Sequence, residues 1–224
     1  MQRFNDPAAV ARYAADTPRK VPGLADLHRM ALLLLSETAP ADARILVLGA
    51  GGGLELKAFA GARPQWRLVG VDPSDAMLEL ARQTLGPMAS QASLVHGYVD
   101  DAPEGPFHGA VCLLTLHFLP RPERLHALRE LRRRLAPGAA LVVAHHTAPQ
   151  PGGALPWLAR SVAFAAEGDA FDLGQAAASA RAMAQHLPLL SPADEEMLLR
   201  EAGFTDIALF YAALTFRGWV ARGA

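Results

Sequence analysis

The feature that most constrains this sequence is a short apolar run that leads directly into a cluster of glycines. Residues 45–48 are apolar, and Gly49, Gly51 and Gly53 follow at alternate positions. A run this short, bounded by glycine, predicts a buried strand and then a tight turn. Glycine permits left-handed backbone conformations and leaves no Cβ to obstruct a ligand. Because an apolar helical pattern starts at Leu54, the free N–H groups of a new helix are expected to face the same turn.

A carboxylate follows the glycine cluster at the distance seen in dinucleotide-binding units, about twenty residues. Asp72 ends the next apolar run, 68–71, and is therefore expected at the carboxyl end of a second strand. Ligands of open α/β sheets bind beyond this edge, and an acid there can hold a ribose. Asp72 could instead cap the next helix, but Ser74 already occupies a capping position. The sequence therefore predicts a pocket for an adenosine-containing ligand.

The glycine spacing discriminates between two kinds of adenosine-containing ligand. A nicotinamide cofactor would be indicated by G-x-G-x-x-G, but the last position of that pattern is Leu54 here, and Gly53 stands one place early. The observed G-x-G-x-G is similar to motif I of the class I S-adenosylmethionine-dependent methyltransferases. Two alternatives stay open: a glycine-rich turn in an ordinary α/β domain, and a dehydrogenase.

Composition restricts the class of protein. The chain has 224 residues, enough for one α/β domain with a sizeable core. A net charge of -1 and a charged fraction of 19% argue against a dedicated nucleic-acid binder. A single cysteine, Cys112, excludes an internal disulfide and fits a reducing compartment. No apolar run has the length of a membrane span and the N-terminus shows no signal core, so we expect a cytoplasmic protein.

The segment after the second predicted strand extends the resemblance. Residues 72–77 read Asp-Pro-Ser-Asp-Ala-Met, which is similar to the methyltransferase pattern at this place. The resemblance implies that Asp72 accepts both ribose hydroxyls and that Pro73 lies beside the cofactor. It also places Met77 against the adenine, although a plain helix-core residue is the alternative.

A third segment resembles the part of the family that contacts the adenine. Residues 97–103 read Gly-Tyr-Val-Asp-Asp-Ala-Pro and are similar to the pattern G-D-x-x-D-h-P. The resemblance implies that Asp101 contacts the adenine amino group and that the backbone of Ala102 faces the ring. Tyr98 replaces the first acid of the pattern, so that part does not carry over. A solvated loop charge is the alternative for Asp101.

The resemblance implies a fold and a cofactor. The fold is α/β, with a doubly wound, seven-stranded, mostly parallel sheet and a C-terminal antiparallel strand pair, which the Ala-Gly-Phe turn at 202–204 introduces. We expect one domain, 1–224, with N-terminal helices in 1–38 and a helical lid insertion in 149–188. The implied cofactor is S-adenosylmethionine, and the residues expected to bind it are Gly49, Ala50, Gly51, Gly53, Asp72, Pro73, Met77, Asp101, Ala102 and Leu114.

Two residues are candidates for catalysis. The family often shows a similar Leu-His-apolar sequence at the end of the fourth strand, which places His117 near the sulfonium as a general base or a hydrogen-bond partner. Tyr13, on a predicted helix over 7–16, could line the active site where such a helix folds over the cofactor. Structural roles for both are the alternative. His145 and His146 are adjacent in a predicted strand and point to opposite faces, so no metal site is predicted.

The helix predicted over 123–135 combines inward-facing leucines with a large number of arginines. The arginines are interpreted as a solvated face rather than as an RNA-binding patch, because no aromatic residues alternate with them. They are Arg124, Arg129, Arg132, Arg133 and Arg134.

The sequence also departs from the family. The methyltransferases often have an acid two places before the first glycine, where it helps to hold the methionine amino group; here that place is Val47. Glu55 is the nearest candidate to replace it. The layout also resembles the carboxy-S-adenosylmethionine synthase branch, in which a lid arginine holds the added carboxylate, and Arg181 lies near that place. Leu24 and Leu113 stand where that branch has polar residues.

The expected activity is methyl transfer by direct displacement to a small, partly hydrophobic acceptor. The cofactor carries the difficult chemistry, and the protein positions the two reactants. We expect no nucleic-acid or membrane partner and allow for a homodimer. The alternatives are a carboxy-S-adenosylmethionine synthase-like enzyme and a non-catalytic S-adenosylmethionine-binding domain.

Overall fold

A single seven-stranded sheet forms the centre of the protein. The computed structural model describes residues 6–149, 153–166 and 172–223. The strand order across the sheet is β3-β2-β1-β4-β5-β7-β6. The strands are β1 (Arg44–Leu48), β2 (Arg67–Asp72), β3 (Ala92–His96), β4 (Phe107–Leu113), β5 (Leu135–His146), β6 (Phe204–Ala213) and β7 (Phe216–Gly223).

Helices cover both faces of this sheet. Side chains of α5 and α8 pack in one apolar cluster, and side chains of α2 and α3 pack in the cluster on the opposite face. The helices are α1 (Pro7–Lys20), α2 (Leu24–Ser36), α3 (Leu54–Ala62), α4 (Asp75–Leu85), α5 (Arg121–Arg134), α6 (Ala154–Phe164), α7 (Leu173–Ala184) and α8 (Pro192–Glu201).

Strand directions confirm the predicted fold. β1 pairs in parallel with β2 and β4, β3 pairs in parallel with β2, and β5 pairs in parallel with β4. Only β7 runs against its neighbours β5 and β6 in the described sheet. The carboxyl ends of β1, β2 and β4 therefore meet at one edge, where ligands of open α/β sheets bind.

Helix starts follow the predicted capping residues, whereas the bounds of α1, β5 and α5 (Arg121–Arg134) differ from the prediction. Asp6 accepts a hydrogen bond from the backbone of Ala8, and Ser74 accepts one from the backbone of Met77. α1 continues to Lys20, past the predicted end, with Pro18 inside it. β5 begins at Leu135, before the predicted turn, because Leu135 pairs with Phe107 ahead of a register shift in the ladder.

The prediction of a solvated arginine face is wrong for Arg124 and Arg134. Arg124 is 0% exposed and pairs with Glu195 of α8, which is 2% exposed. Its Nη2 also donates to the carbonyls of Leu119, at 3.1 Å, and Pro188, at 3.0 Å. Arg134 is buried and donates to the Ala102 carbonyl. α8 and the turns beside α5 cover that part of the helix, and the partners of Arg124 bind its two Nη atoms, whereas its Nε has no hydrogen-bond partner in the described residues.

The region of the predicted lid contains two helices, α6 and α7, which pack against each other. Ser161 of α6 hydrogen-bonds through its Oγ to Thr215 Oγ1 at 2.8 Å, which links α6 to the turn between β6 and β7. Residues 150–152 and 167–171 of the predicted insertion lie outside the described residues. In the described part of the chain, none of the helices combines the length and the apolar character needed to cross a membrane.

Candidate functional site

A cavity of about 420 Å³ opens at the carboxyl ends of β1, β2 and β4. Its volume falls within the range of small-molecule sites, about 300–1,000 Å³. The titratable groups on its surface are three carboxylates, one imidazole and two phenols. The lining residues are Tyr13, Leu48, Gly49, Gly51, Asp72, Pro73, Ser74, Met77, Gly97, Tyr98, Val99, Asp100, Leu113, Leu114, Thr115, Phe118, Leu119, Glu123, His126 and Ala127.

The glycine turn forms one wall of the cavity. Gly49 and Gly53 each leave space for a different neighbouring element. The three alternate glycines of the turn have positive φ angles: +74° at Gly49, +48° at Gly51 and +77° at Gly53. A Cβ on Gly49 would lie 2.0 Å from Thr115 Oγ1, so this glycine allows the turn to pack against the end of β4. A Cβ on Gly53 would lie 2.8 Å from the Cα of Ala81 in α4. Gly53 and the buried Ala50 do not line the cavity.

Replacement of Gly53 tests whether it is a packing residue. We expect Gly53→Ala to lower the free energy of unfolding by about 2 kcal/mol, because left-handed strain adds to a clash with the α4 backbone. Gly138→Ala is the matched control: its φ is +73°, but a Cβ there meets nothing within 4 Å. Urea unfolding of both variants measures the difference. Equal losses of stability would contradict the packing role of Gly53.

Asp72 is held rigidly at the cavity. Its Oδ2 accepts a hydrogen bond from the Gly51 N–H at 2.9 Å, and its Oδ1 accepts one from the Ser74 N–H at 2.9 Å. Burial raises the pKa of this carboxyl, and the two backbone hydrogen bonds oppose that effect. Each carboxylate oxygen has a second lone pair, so Asp72 can still accept two hydroxyl groups from a ligand.

Tyr13 reaches the cavity from α1 and lies over the glycine turn. A Cβ built on Gly52 would come within 2.8 Å of Cδ1 of Tyr13, and one on Gly51 within 3.3 Å of its hydroxyl. Burial raises the pKa of the Tyr13 phenol, and nearby Glu55 raises it further. Tyr13 is therefore a neutral hydrogen-bonding group at the cavity surface at physiological pH.

The part of the cavity assigned to adenine differs from the sequence expectation in one respect. Met77 and Pro73 line the cavity as expected, but Asp101 and Ala102 do not. The Asp101 carboxylate instead accepts a hydrogen bond from the Tyr98 N–H at 2.8 Å, which closes a local turn. The adenine contact of Asp101 stays a prediction, and the structure places a different acid, Asp100, on the cavity surface.

Asp100 and His126 form a pair that the sequence did not predict. Their closest side-chain atoms, Asp100 Oδ1 and His126 Nε2, are 2.8 Å apart. His126 lies one helical turn after Glu123 on α5, and both line the cavity. This spacing of polar residues on an otherwise leucine-rich helix is the signal that could have indicated a second wall of the site.

His117 is buried behind the cavity surface. It is 4% exposed, its Nδ1 has no hydrogen-bond partner in the described structure, and its ring packs against Phe118 and His146. Burial, together with His146 and His145, holds the pKa of His117 well below its usual range, so it is neutral. Phe118 lines the cavity in its place.

Leu114 lines the end of the site nearest β4 and β5, and His146 lies nearby without lining the cavity. Leu114 lines the cavity with a φ of +58°, and its N–H donates to the Ala144 carbonyl at 2.6 Å. His146 Nδ1 lies 2.6 Å from Thr215 Oγ1, and burial lowers its pKa to about 4. Arg181 is exposed on α7 and does not line the cavity. His146 also lies outside the cavity surface.

Glu55 is a buried acid directly beside the site. It is 7% exposed in the first turn of α3. Burial raises its pKa from 4.5 to about 8, with a further contribution from Asp72. No ion pair with a basic group is formed by Glu55 in the described residues. It is therefore protonated at neutral pH.

The raised pKa of Glu55 predicts a pH dependence of stability. The folded protein keeps the proton of Glu55 at pH values where the unfolded chain has lost it, so stability falls as pH rises from about 4.5 to about 8. Between pH 6 and 8 we expect the wild type to lose about 2 kcal/mol more than Glu55→Gln, which cannot titrate. Urea unfolding at several pH values measures this difference. Parallel stability curves for the two proteins would contradict the assignment.

Comparison with known proteins agrees with the geometry. The family model described as a methyltransferase domain matches residues 45–138. A carboxy-S-adenosyl-L-methionine synthase from Chromohalobacter salexigens is 28% identical over 221 residues, which cover 96% of this chain and 82% of the relative.

Solved structures share the fold. A protein from Nostoc punctiforme superposes with a TM-score of 0.70 at 21% identity, covering 95% of this chain and 59% of that one. An O-methyltransferase family protein from Burkholderia thailandensis gives 0.70 at 15% identity, with 99% and 62% covered. Human N-acetylserotonin methyltransferase, in complex with S-adenosylmethionine, gives 0.61 at 16% identity, with 88% and 51% covered. The chain thus spans between 51% and 62% of the length of these three proteins.

The glycine turn and Asp72 lie at one edge of a seven-stranded sheet of the predicted kind, and the matched methyltransferase domain begins at β1 and includes the glycine turn. Taken with the curated relative, these findings show a methyltransferase domain over residues 45–138, in a chain that resembles the class I S-adenosylmethionine-dependent methyltransferases.

Proposed function

We propose that the protein binds S-adenosylmethionine in this cavity and transfers its methyl group to a small-molecule acceptor. The observation that carries the proposal is Asp72, fixed by Gly51 and Ser74 at the open end of β2 with acceptor capacity left for a ribose. The relative from human, whose structure holds S-adenosylmethionine, has the same fold and supports the choice of cofactor.

The residues present fit this cofactor. Glycines at 49 and 51 leave one wall without side chains, while Met77 and Leu114 supply apolar surface for a flat base and a thioether. Asp101 and Ala102 would join the adenine site only after a change in the 97–103 turn. We assign the ribose to Asp72 and propose Asp100 as the acid nearest the base.

The charge of the cavity also fits S-adenosylmethionine. Its described lining contains three acids (Asp72, Asp100 and Glu123) and neither lysine nor arginine. A sulfonium cation is therefore favoured over an anionic ligand by the Coulomb interaction. The acidic lining also disfavours a ligand that carries an additional carboxylate. Arg181, the candidate to bind such a carboxylate, is exposed and does not line the cavity.

The chain contributes to the reaction mainly by positioning. Bound S-adenosylmethionine supplies an electrophilic methyl group. Asp72 and the glycine turn fix the donor, while Leu114, Phe118 and Leu119 exclude water from the region beyond β4. Tyr13 offers a neutral hydroxyl that can orient an acceptor. His117 would take part only if Phe118 moved, because its ring is buried behind that side chain.

Two alternatives receive support from particular observations. The curated relative is a carboxy-S-adenosyl-L-methionine synthase, which supports a synthase-like activity on the same cofactor. Val47, fully buried at a place where the family often has an acid, supports a binding domain without catalysis. We further propose that the acceptor is small and partly hydrophobic, and that the protein works without a nucleic-acid partner.

A transfer assay separates these functions. The protein is incubated with methyl-labelled S-adenosylmethionine and a panel of small hydroxylated and amine acceptors, and the products are analysed by mass spectrometry. Methyl transfer predicts S-adenosylhomocysteine together with a labelled acceptor. In a parallel incubation that also contains a carboxyl donor, a sulfonium product that has gained a carboxyl group from that donor would overturn it in favour of the synthase. Binding without turnover of any acceptor in the panel would favour the binding domain.

A further inference from the structure

His96, the last residue of β3, lies beside the turn that carries Asp72. Its backbone is opposite Asp72 in the register of β2 and β3, and the N–H of Gly97 donates to the Asp72 carbonyl at 3.1 Å. The imidazole itself does not line the cavity, but its neighbours Asp72, Pro73 and Gly97 do. The contacts proposed for the cofactor leave this ring without a role.

Both nitrogens of the His96 ring face groups that can only accept hydrogen bonds. Nε2 lies 3.1 Å from the Pro73 carbonyl oxygen, and Nδ1 lies 3.4 Å from Oδ1 of Asp75. A neutral imidazole has one N–H and one lone pair, so it can donate to only one of these partners. The imidazolium form has an N–H on each side and can donate to both. In that form the ring joins the end of β3 to the turn between β2 and α4.

A positive charge on His96 also acts on Asp72. Burial raises the pKa of the Asp72 carboxyl, whereas His96 lowers it. In the described part of the chain, Asp72 forms no ion pair with a lysine or an arginine. The other titratable side chains that interact with it are the Tyr13 phenol from α1 and the Glu55 carboxyl from α3, and neither is basic. His96 is therefore the basic group that opposes the effect of burial on this acid.

We propose that His96 is a positioning residue of the cofactor site, which holds the turn after β2 in place and keeps Asp72 in the carboxylate form that binds the ribose. This inference rests on the proposed function, because it concerns the residue assigned to the ribose. A carboxylate accepts hydrogen bonds at both oxygens, whereas a protonated carboxyl group has to donate at one of them. Protonation of Asp72 would therefore remove part of the acceptor capacity that the ribose, Gly51 and Ser74 use.

The consequence is a contribution of His96 to cofactor affinity that depends on pH. An imidazole is ordinarily charged at pH 5 and neutral at pH 8. At pH 5 the charged ring opposes the protonation of Asp72, which burial favours. At pH 8 the ring is neutral and no longer has this effect. Removal of the charge is therefore expected to weaken binding at pH 5 and not at pH 8.

The test is a calorimetric titration with S-adenosylhomocysteine at pH 5 and at pH 8. This ligand lacks the sulfonium charge, so repulsion between His96 and a sulfonium does not contribute. His96→Gln keeps an N–H near the position of Nε2 but carries no charge, and His96→Lys keeps a positive charge. The matched control is His186→Gln, because His186 is exposed after α7 and does not line the cavity. Asp100, Glu123 and His126 line the cavity in all four proteins, so the differences report on residue 96.

We expect His96→Gln to bind about three- to fivefold more weakly than the wild type at pH 5 and about equally at pH 8, since the His96 side chain is 55% exposed and solvent screens its charge. His96→Lys and His186→Gln should each keep the wild-type affinity at pH 5. Circular dichroism at pH 5 checks that each variant is folded.

Two results would overturn the role of His96 while leaving the proposed function intact. One is an affinity of His96→Gln that differs from the wild type by the same factor, or not at all, at both pH values. The other is a loss for His96→Lys at pH 5 as large as that for His96→Gln. Failure of the folded wild type to bind S-adenosylhomocysteine at either pH would refute the proposed function, and this inference with it.

Discussion

Asp72→Ala is expected to lower the affinity for S-adenosylhomocysteine by about a thousandfold, or about 4 kcal/mol. Two effects add. The variant loses the charged acceptor of the ribose hydroxyls, and each such hydrogen bond is worth about 1.5–3 kcal/mol. It also frees the Gly51 and Ser74 N–H groups, which are both bound by Asp72 at 2.9 Å. The glycine turn then loses the contact that fixes its shape. Calorimetric titration measures the affinity.

The control for this prediction is Asp75→Asn. Asp75 also belongs to the segment that follows β2, but its side chain is exposed, and it does not line the cavity. We expect its affinity to stay within about twofold of the wild type, because exposed charges act through solvent. Circular dichroism of Asp72→Ala checks that the variant is folded. If a folded Asp72→Ala binds as tightly as Asp75→Asn, the ribose role is wrong.

The second large effect is expected at the buried Arg124–Glu195 pair. Removal of one partner, as in Glu195→Ala, leaves a guanidinium group buried without its counterion and should lower the free energy of unfolding by about 3–5 kcal/mol. Arg124 also donates to the carbonyls of Leu119 and Pro188, so the loss would loosen the turn after β4 and the segment that leads to α8. Urea unfolding followed by circular dichroism measures the change.

An exposed pair between the same two helices, α5 and α8, provides the comparison. Arg121 and Glu201 are 2.9 Å apart and both well exposed, so Glu201→Ala is expected to change the stability by no more than about 1 kcal/mol. The double variant Arg124→Met with Glu195→Leu should recover most of the loss, because apolar residues can replace a buried ion pair without an unpaired charge. A loss for Glu195→Ala that is as small as that for Glu201→Ala would contradict the importance of the buried pair.

The central architecture was predictable because it depends on short, local patterns. The apolar run 45–48 with its glycines, and Asp72 at the end of the next run, each define an element and its end. Since the carboxyl ends of parallel strands meet at one edge of the sheet, these local features also placed the glycine turn and Asp72 together. The structure confirms this arrangement through the hydrogen bond from Gly51 to Asp72.

Burial of charged residues was not predictable in the same way. Arg124 is on a face of α5 that is covered in part by α8 and by the segment before α8. These elements lie about seventy residues further along the chain, as the 71-residue separation from Glu195 shows. Helical periodicity identifies a leucine face, but it does not show which polar residue beside that face is covered by a distant element.

The direction of side chains in turns was the second feature that could not be predicted from the sequence. Asp100 and Asp101 are adjacent, and a motif cannot determine which of them reaches the cavity, because a short turn can use either one for its own backbone hydrogen bond. The turn uses Asp101, bound to the Tyr98 N–H, and leaves Asp100 at the surface of the site. In the turn after β4, Phe118 lines the cavity and His117 does not.

The most direct test of the central claim is a calorimetric titration of the wild-type protein with S-adenosylhomocysteine. The site described around Asp72 and the glycine turn predicts one-to-one binding with a dissociation constant of roughly micromolar magnitude, about −8 kcal/mol. Absence of binding by the folded protein at ligand concentrations of about 1 mM, where the free energy would be weaker than about −4 kcal/mol, would contradict it.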